Sequence, residues 1–471
     1  MFSSEQWLAN SGGDFYNGVA TQSLRFDDGA NAELTRSPAG ATDQKKYTLS
    51  CWVKRANLGS TQTIFSAGNS GTGNPGFEQL NFTSGDALRY YRQIGSVGNT
   101  EYVTTQLFRD VSAWYNIVVM MDAANTIGYI YVNGVRVTSF STTNHPTNVD
   151  GAVNSTQKHA FGNRSIDGSA DFDGYLAEVN FLDGLIVGET SGYLDQFGEV
   201  KNGVWIPKAY SGSYGTNGYR LDFADNAVDA PTSEGTEDTD NIGSDSSGEH
   251  NNFTSSGIVA SDCAMPDSPE LNWCTLNPLD NGGGGANTLS EGNLKAVGSG
   301  NTWKHTRSTF TMPDGSWYCE FVATSGIGNG NTFFGIIPQH DALPTSFIGS
   351  TSTAWAYSSN SYWYNNNSAG GRGASGSGAS WATGIVIGLT FDGSTLKFYR
   401  ENSLEITIGS IPSAEYAIGV ALFASDAGVI NFGADPTFAG VMDSSTSAKT
   451  PSNSGAGTAD SEGNGKFFYA P

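Results

Sequence analysis

The chain has 471 residues and a formal net charge of −23 at pH 7, set by 46 acidic and 23 basic side chains. That charge argues against a nucleic-acid-binding protein, because phosphate backbones are bound through Lys and Arg. No apolar run approaches the ~20 residues that a membrane span requires, while 61 Gly, 26 Phe, 20 Tyr and 10 Trp indicate a turn-rich, all-β protein. The length fits two domains of roughly 150 residues each, with connecting segments.

An N-terminal arm is predicted over residues 1–21, where the sequence is polar and contains Gly. Its candidate anchors are Phe2, Trp7, Phe15 and Tyr16, and arms of this kind often become ordered only against a partner. The segment lacks a basic start and a long apolar core, so we predict that it is not a secretory signal.

A first β-sandwich is predicted over residues 22–185. In Tyr47–Arg55 every second side chain is apolar, which is typical of a strand with one face in the core. Ile117–Met121 is continuously apolar and is expected to be covered on both faces. Asn133-Gly134 predicts a two-residue hairpin turn, because such turns need positive φ at both positions.

A long irregular connector is predicted over residues 186–302. No basic residue lies between Arg220 and Lys295, and that stretch carries many Asp and Glu side chains. We interpret it as a solvated, self-repelling segment rather than a cation site. The residues that are expected to hold it against the two domains are Trp205, Trp273 and Leu276.

A second β-sandwich is predicted over residues 303–438, followed by a C-terminal tail over 439–471. Its central hairpin repeats the pattern of the first sandwich: Ile385–Ile387 is apolar, Asp392-Gly393 turns, and Leu396–Tyr399 returns. The predicted fold class is therefore all-β, with two antiparallel β-sandwiches joined by the connector.

The four cysteines show no metal-binding pattern, since no C-x-x-C motif is present. Cys51 and Cys319 lie in apolar strand patterns and are expected to be small buried hydrophobic residues. Cys263 and Cys274 are near enough in sequence to pair across a loop, but their spacing does not require a disulfide.

In both predicted sandwiches, several short sequence segments that follow one another in a fixed order resemble known families. Residues 22–185 contain SLRFDDGANAELTRSP, YTLSCWVKR, WYNIVVMMD, YIYVNGV and DFDGYLAEVNFLDG, which together resemble the laminin-G/pentraxin branch of the concanavalin A-like sandwiches. Residues 303–438 contain DGSWYCEFVAT, GIVIGLTFDGSTLKFYREN and VINFGADPTF, which resemble a SPRY domain. A SPRY domain is itself a two-sheet sandwich that binds proteins or other ligands through its loops.

Between the two modules the chain contains FGEVKNGVWIPKAYSGSYGTNGYRLDF and then DSP, CTLNPL and TLSEGNL. This order of modules and connecting segments resembles that of structural proteins of tailed bacteriophages, notably marine ones. In that family the strand ending in NFG is usually followed by a Pro-Pro-x-Gly-Phe-like strand. Here PSNSGAGTADSEGNGKFFYAP stops where such a segment would begin. We therefore expect the last strand of the second sandwich to be missing or supplied differently.

The resemblance implies a virion protein, assembled in the host cytoplasm together with other virion proteins and in several copies. Its loops would bind a host cell-surface glycan or receptor, without nucleic-acid binding or membrane insertion. A purely structural decoration protein with no ligand of its own is the main alternative. The sequence leaves the head or tail location open.

Catalysis is not predicted. Glucanases of the concanavalin A-like fold place Glu-x-Asp-x-x-Glu along one strand, so that acid and nucleophile flank one bond. This chain has no such strand, no Gly-x-Ser-x-Gly motif, and five histidines that fall outside metal-ligand spacing. A polysaccharide depolymerase is accordingly the least favoured alternative.

Calcium is the one cofactor that the resemblance suggests, since laminin-G-like domains often hold it at the sandwich rim. The loop of residues 167–173 offers Asp171 and Asp173, and Asn163 lies nearby in sequence. Carboxylate and amide oxygens are ligands that Ca²⁺ prefers. An ordinary acidic turn is the alternative, and the sequence favours it.

Aromatic side chains cluster among Ser, Asn and Gly residues in a predicted loop of the second sandwich. Exposed rings beside Asn suit stacking on sugar faces, and rigid Tyr and Trp also bind proteins at low entropy cost. The alternative, that several of these rings cover the sandwich, carries equal weight. The candidates are Trp355, Tyr357, Tyr362, Trp363 and Tyr364. Tyr90 and Tyr91 form a weaker candidate pair, and strand alternation predicts that at least one of them is in the core.

Overall fold

Antiparallel strands make up almost all of the regular structure in the computed structural model, which confirms the predicted all-β class. The structure describes residues 15–69, 76–95, 98–190, 192–231, 235–280, 282, 284–313, 315–325, 330–372, 380–442, 459 and 465–469. Short 3-10 turns occur within them at Asp28–Ala30, Ala123–Asn125 and Ala260–Asp262. A first compact unit ends at Asn272 and a second begins at Trp273.

The predicted N-terminal arm is described only in part, because Phe2 and Trp7 lie outside the described residues. The Phe15 and Tyr16 rings meet edge to face, with centroids 4.9 Å apart. The next residues bind a distant side chain: the Glu270 carboxylate accepts hydrogen bonds from the backbone N–H groups of residues 18, 19 and 20. This contact fixes the entry of the chain into the first unit.

Two sheets and a separate hairpin form the first unit. In chain order its strands are β1 (Leu24–Phe26), β2 (Glu33–Arg36), β3 (Lys46–Arg55), β4 (Gln62–Gly68), β5 (Phe77–Phe82), β6 (Ala87–Ile94), β7 (Gly98–Leu107), β8 (Trp114–Asp122), β9 (Ile127–Val132), β10 (Val135–Arg136), β11 (Phe140–Asn144), β12 (His159–Phe161), β13 (Gly174–Asp183), β14 (Gly198–Lys201), β15 (Val204–Pro207), β16 (Tyr219–Leu221) and β17 (Thr254–Ser256). One sheet has the order β1-β13-β3-β8-β9-β10, with β16 also paired to β13. The other has the order β11-β7-β6-β5-β4-β12-β2-β17, and β14 pairs with β15.

Strand β8 is covered on both faces, as its continuous apolar sequence predicts. The side chains that join the main core of the unit are Ile117, Val119 and Met121. Val118 and Met120 point the other way and pack in a second cluster that contains Leu194 and Phe197.

The hairpin after β9 has the predicted turn. Asn133 and Gly134 have φ values of 48° and 75°, in the left-handed region that two-residue hairpins require. A Cβ atom at Gly134 would come within 2.3 Å of the Trp205 ring. Glycine is needed here both for the turn and for the close approach of this tryptophan.

Two three-residue strands of the segment predicted as a connector, 186–302, join the sheets of the first unit. β16 pairs with β13, and β17 pairs with β2. Tyr219 and Phe253 are buried in the core, with ring centroids 4.8 Å apart. The buried carboxylate of Asp245 accepts hydrogen bonds from the backbone N–H groups of residues 220, 247 and 251. Backbone donors thus satisfy acidic side chains that a count of charges would leave in solvent.

The second unit is also built from two sheets. Its strands are β18 (Thr288–Ser290), β19 (Lys295–Val297), β20 (Trp303–Met312), β21 (Trp317–Ser325), β22 (Thr332–Pro338), β23 (Trp355–Ser358), β24 (Tyr362–Asn365), β25 (Ser368–Arg372), β26 (Val386–Phe391), β27 (Leu396–Arg400), β28 (Ser403–Ile408), β29 (Tyr416–Phe423) and β30 (Ala427–Asn431). The sheet orders are β18-β19-β30-β21-β26-β27-β28 and β20-β29-β22-β23-β24-β25. Phe321, Phe334 and Leu389 are among the buried residues of its core.

The four cysteines, all within the described residues, are thiols rather than disulfides. Cys51, Cys263 and Cys319 are buried, and burial raises the pKa of Cys51 and of Cys263 to about 12. None of the helices in the described part of the chain has the length and apolarity that a membrane crossing requires.

Candidate functional site

A cleft of about 390 Å³ opens at one rim of the first sandwich. It lies where β3 begins and β8 ends, because their antiparallel pairing sets Lys46 opposite Asp122. Polar side chains of these strands and of the neighbouring loops form its wall. The lining residues are Thr42, Asp43, Gln44, Lys45, Lys46, Asp122, Ala124, Asn125 and Asp150. None of them is among the sequence-predicted site residues, and the charged run before β3 is their only local signal.

Opposite charges stand side by side in this rim cleft. Lys46 Nζ lies 3.6 Å from Asp122 Oδ2, and Lys45 Nζ lies 3.6 Å from Asp150 Oδ1. Burial opposes ionisation of Asp122, but hydrogen bonds from Asn125 and the positive charge of Lys46 outweigh it and hold the pKa of that carboxyl below its usual value. Ammonium and amide donors therefore lie beside ionised acceptors, as a ligand rich in hydroxyl groups would require.

The calcium candidates lie at the opposite rim, next to the end of β3. The Ala56 N–H donates to the Asp173 carbonyl oxygen at 3.0 Å, and the Thr63 N–H donates to the Ala170 carbonyl oxygen at 2.8 Å. These bonds hold the loop against the end of β3 and the start of β4. Asp173 and Asn163 are buried, whereas Asp171 is partly exposed.

Several buried oxygens of this rim lack a hydrogen-bond partner within the described residues: Thr63 Oγ1, Asn163 Oδ1 and Asp171 Oδ1. Burial, and then the carboxylates of Asp28, Glu33 and Asp167, raise the pKa of Asp171. A hard cation would satisfy such oxygens and relieve the repulsion together. Across the described residues, no three His, Cys, Asp or Glu side chains are gathered as metal ligands. A cation at this rim would therefore depend on hydroxyl and amide oxygens as well.

The aromatic candidates of the second sandwich lie on strands, not in a loop. Trp355 and Tyr357 belong to β23, and their rings are in the core, with 8% and 0% of their surface exposed. The prediction of an exposed binding loop is wrong for these two residues, because strand alternation turns both rings inward between the sheets.

Tyr362, Trp363 and Tyr364 form β24 and are half-buried. The Trp363 indole lies on the backbone of Gly370, where a Cβ atom would come within 1.9 Å of Cε2. Tyr364 faces the other way and meets the Phe333 ring, with centroids 5.3 Å apart. The rings are thus held by packing on both sides, and their contact with a ligand stays a prediction.

Tyr90 and Tyr91 point to opposite faces of β6, and Tyr90 is the core residue that the alternation predicts. The Arg89 guanidinium lies 4.2 Å from the centre of the Tyr91 ring, and the Phe77 ring lies 5.5 Å from it. Tyr91 is therefore the member of the pair that reaches the surface.

A second cleft, of about 300 Å³, lies in the acidic segment of the first unit. Its walls include Asp222, Asp225, Glu237 and Asp238. Burial, and then Asp222, Asp240 and Asp238, raise the pKa of Asp225. Like charges therefore dominate this cleft.

A buried glutamate that the sequence does not signal lies beside Tyr90. The Glu78 carboxylate accepts hydrogen bonds from the Tyr47 hydroxyl at 2.8 Å, the Tyr90 hydroxyl at 2.7 Å and the Ala152 N–H at 2.8 Å. Arg92 Nε lies 3.3 Å from it. These partners are themselves buried and hold both carboxylate oxygens, an arrangement that is typical of a structural anchor.

A family model described as the concanavalin A-like lectin/glucanases superfamily matches residues 27–188. The first unit contains a concanavalin A-like sandwich. No curated protein matches the chain.

Among solved structures, the SPRY domain of human HERC1 is 17% identical, covering 34% of this chain and 97% of that one, with a TM-score of 0.28. A pentraxin from Limulus polyphemus is 15% identical, covering 36% of this chain and 80% of that one, also with a TM-score of 0.28. Both likenesses concern the fold alone.

Proposed function

We propose that this protein is a non-catalytic binding protein of a bacteriophage virion, which attaches to a host cell-surface glycan or receptor through loops of its sandwiches. The observation that carries the proposal is the rim cleft, where Lys45, Lys46, Asp122 and Asp150 form two adjacent ion pairs. Sugar hydroxyls both donate and accept hydrogen bonds, so they bind best where donors and acceptors alternate. The match of residues 27–188 to a lectin-containing superfamily supports a carbohydrate or related ligand.

The net charge of −23 constrains how attachment works. A protein this acidic is repelled by an anionic cell surface, so attraction cannot come from bulk electrostatics. Attachment must instead come from specific contacts in the cleft, helped by partly exposed rings such as Tyr91 and Tyr362.

The virion setting is supported by the order of the two modules, which resembles that of tailed-phage structural proteins. In this setting the partners are other virion proteins and further copies of this chain. A structural decoration protein without a ligand is the alternative. A depolymerase would need a pair of catalytic carboxylates on either side of one glycosidic bond.

Calcium is proposed as a structural ion of the opposite rim, held by Asp171, Asp173 and Asn163 with Thr63. The support is chemical, because the atoms without a protein partner there are all oxygens. The ion would supply positive charge to a loop whose carboxylates repel one another, and so would fix the shape of that rim.

Replacing both Lys45 and Asp150 by Ala tests the cleft. Their side chains are 33% and 59% exposed, so the change should leave the fold intact. We expect binding to a glycan array and to a panel of bacterial cells to fall roughly tenfold or more, as the loss of two charged hydrogen-bonding groups implies. Lys158→Ala is the matched control, because Lys158 is 31% exposed and forms an ion pair with Glu33 away from the cleft.

Equal binding by the double variant and the wild type would rule out the cleft. If the wild type binds no glycan and no cell, while the double variant fails to join the particle, the decoration alternative is correct. Tyr362→Ala in the same assay tests whether the second sandwich contributes.

A further inference from the structure

Residues 465–469, near the end of the chain, fold back onto the seven-stranded sheet of the second unit. They contact Glu320, which lies on β21 with β30 on one side and β26 on the other. Glu320 alternates with Cys319 and Phe321, which belong to the core, so its side chain points to the outer face of the sheet. A segment bound to this side chain lies across the face, because both edges of β21 already have partners.

Side chains of the sheet bind the backbone of this segment. The two carboxylate oxygens of Glu320 each accept one backbone hydrogen bond, from the Phe468 N–H and the Tyr469 N–H, both at 2.8 Å. The Asn431 side-chain amide donates to the Lys466 carbonyl oxygen at 2.8 Å and to Glu320 at 3.0 Å. Phe468 and Tyr469 lie in a bend, so their consecutive N–H groups point to the same carboxylate, and Glu320 and Asn431 together bind a bent backbone.

Each of the three consecutive aromatic residues of the segment has its own contact. The Phe467 ring meets Tyr318, with centroids 5.1 Å apart, and the Phe468 ring lies 6.1 Å from that of Phe438. The Tyr469 hydroxyl donates to the Glu401 carboxylate at 3.0 Å. Phe467 and Phe468 are only 4% and 2% exposed.

Glycines make room for these rings. Gly388 is the cross-strand partner of Glu320, and a Cβ atom there would lie 3.1 Å from the Tyr318 hydroxyl. A Cβ atom at Gly433 would come within 2.9 Å of the Phe467 ring and 2.3 Å of the Trp273 ring. The outer face therefore offers both space for the rings of the segment and a carboxylate that binds its backbone.

We propose that this Glu320 site is a receptor site for an aromatic peptide segment, and that residues 465–469 are its resident, exchangeable ligand. The ligand class is a peptide with three consecutive aromatic residues, the second and third of which keep free backbone N–H groups. Recognition runs through side chains of the face, so a peptide from another source can make the same contacts. This site is in the second unit and is independent of the glycan proposal for the first.

Exchange can be tested in the full-length protein with a specific protease site inserted between residues 443 and 458. The 22 residues from 443 to 464 separate Met442 from Gly465, so cleavage interrupts no strand of the described sheets. After cleavage, a fluorescently labelled peptide of residues 463–471 should replace the resident segment, as measured by anisotropy. We expect N-methylation of Phe468 and Tyr469 in the peptide to weaken binding roughly tenfold to a hundredfold, because two charge-assisted hydrogen bonds are lost.

A peptide with Phe467 and Phe468 replaced by Ala should also fail to bind, and so should a scrambled peptide. Glu320→Gln in the protein should weaken binding of the unmodified peptide, since an amide group offers one acceptor where two are needed. Because the modified peptides are tested on wild-type protein, misfolding of that variant would not obscure the result. Equal binding by the scrambled or N-methylated peptides would overturn the proposal. A resident segment that never exchanges would overturn it too, since the segment would then be an integral part of the sandwich.

Discussion

Two buried glutamates, one in each unit, are compensated in different ways. Glu78 on β5 of the first unit lies 3.3 Å from the Arg92 guanidinium and accepts two tyrosine hydroxyl hydrogen bonds. Glu320 on β21 of the second unit accepts hydrogen bonds from two backbone N–H groups, an amide and a hydroxyl. In the part of the chain that the structure describes, no Lys or Arg forms an ion pair with Glu320.

The difference shows what neutral donors can and cannot do for a buried charge. Burial raises the pKa of Glu320 to about 7, although hydrogen bonds from Tyr469, Phe468, Tyr318 and Asn431 all act to lower it. Dipoles orient toward a carboxylate but supply no net positive charge, so they offset only part of the lost hydration. Glu78 is an anchor fixed by a counter-ion, whereas Glu320 is one that titrates near neutrality.

Removing Arg92, the counter-ion of Glu78, should have the largest effect on stability. Arg92→Ala leaves the Glu78 carboxylate buried without its cation, and we expect the free energy of unfolding of the first unit to fall by about 3–5 kcal/mol. Urea denaturation at pH 7 measures this. Arg89→Ala is the matched control, because Arg89 pairs with Glu101 at a partly exposed site on the same strand and should cost ~1 kcal/mol or less. Similar losses for both variants would contradict the role given to Arg92.

The stability of the second unit should depend on pH because of Glu320. The pKa of Glu320 is raised from 4.5 in the unfolded chain to about 7 in the folded one, so the folded state binds more protons between these values. The free energy of unfolding of the second unit should therefore fall as pH rises from 4.5 to 7, by roughly 3 kcal/mol. Thermal denaturation of wild type and Glu320→Gln across this range measures it. The slope should be smaller in the variant; equal slopes would show that Glu320 does not cause it.

The carboxylate of Asp171 differs from both glutamates, because its charged neighbours Asp28, Glu33 and Asp167 are themselves acidic. Calcium at this rim should raise the melting temperature of the first unit, by an amount equivalent to about 2.7 kcal/mol at a free concentration one hundred times Kd. Asp171→Asn should abolish that rise while stabilising the calcium-free protein slightly, because one repelling charge is removed. A wild-type melting temperature that is the same with calcium and with chelator would contradict the proposed ion.

Local sequence patterns predict the central strands well. The alternation in Tyr47–Arg55 and the apolar run Ile117–Met121 specify which faces are buried, and both strands lie as predicted. By contrast, β16 and β17 are three-residue strands inside an acidic stretch, and their partners β13 and β2 lie far away in sequence. Such pairing depends on contacts between residues far apart in the sequence, and a short stretch of sequence does not reveal them.

The candidate sites were harder to predict for a related reason. The rim cleft combines residues near 43, 122 and 150, which come together only because β3 and β8 are antiparallel neighbours. Trp355 and Tyr357 look exposed beside Ser and Asn, yet the pairing of β23 turns their rings into the core. Residue type indicates what a side chain can bind, but strand orientation decides whether it reaches solvent.

The buried thiols have a consequence for the surroundings that this protein tolerates. Cys51 and Cys319 are fully enclosed and burial raises the pKa of each, so almost no thiolate forms at neutral pH. Since the thiolate is the species that reacts with oxidants and with other disulfides, these side chains should be chemically inert in the folded state. At these two positions the fold should therefore respond in the same way to reducing and to oxidising surroundings.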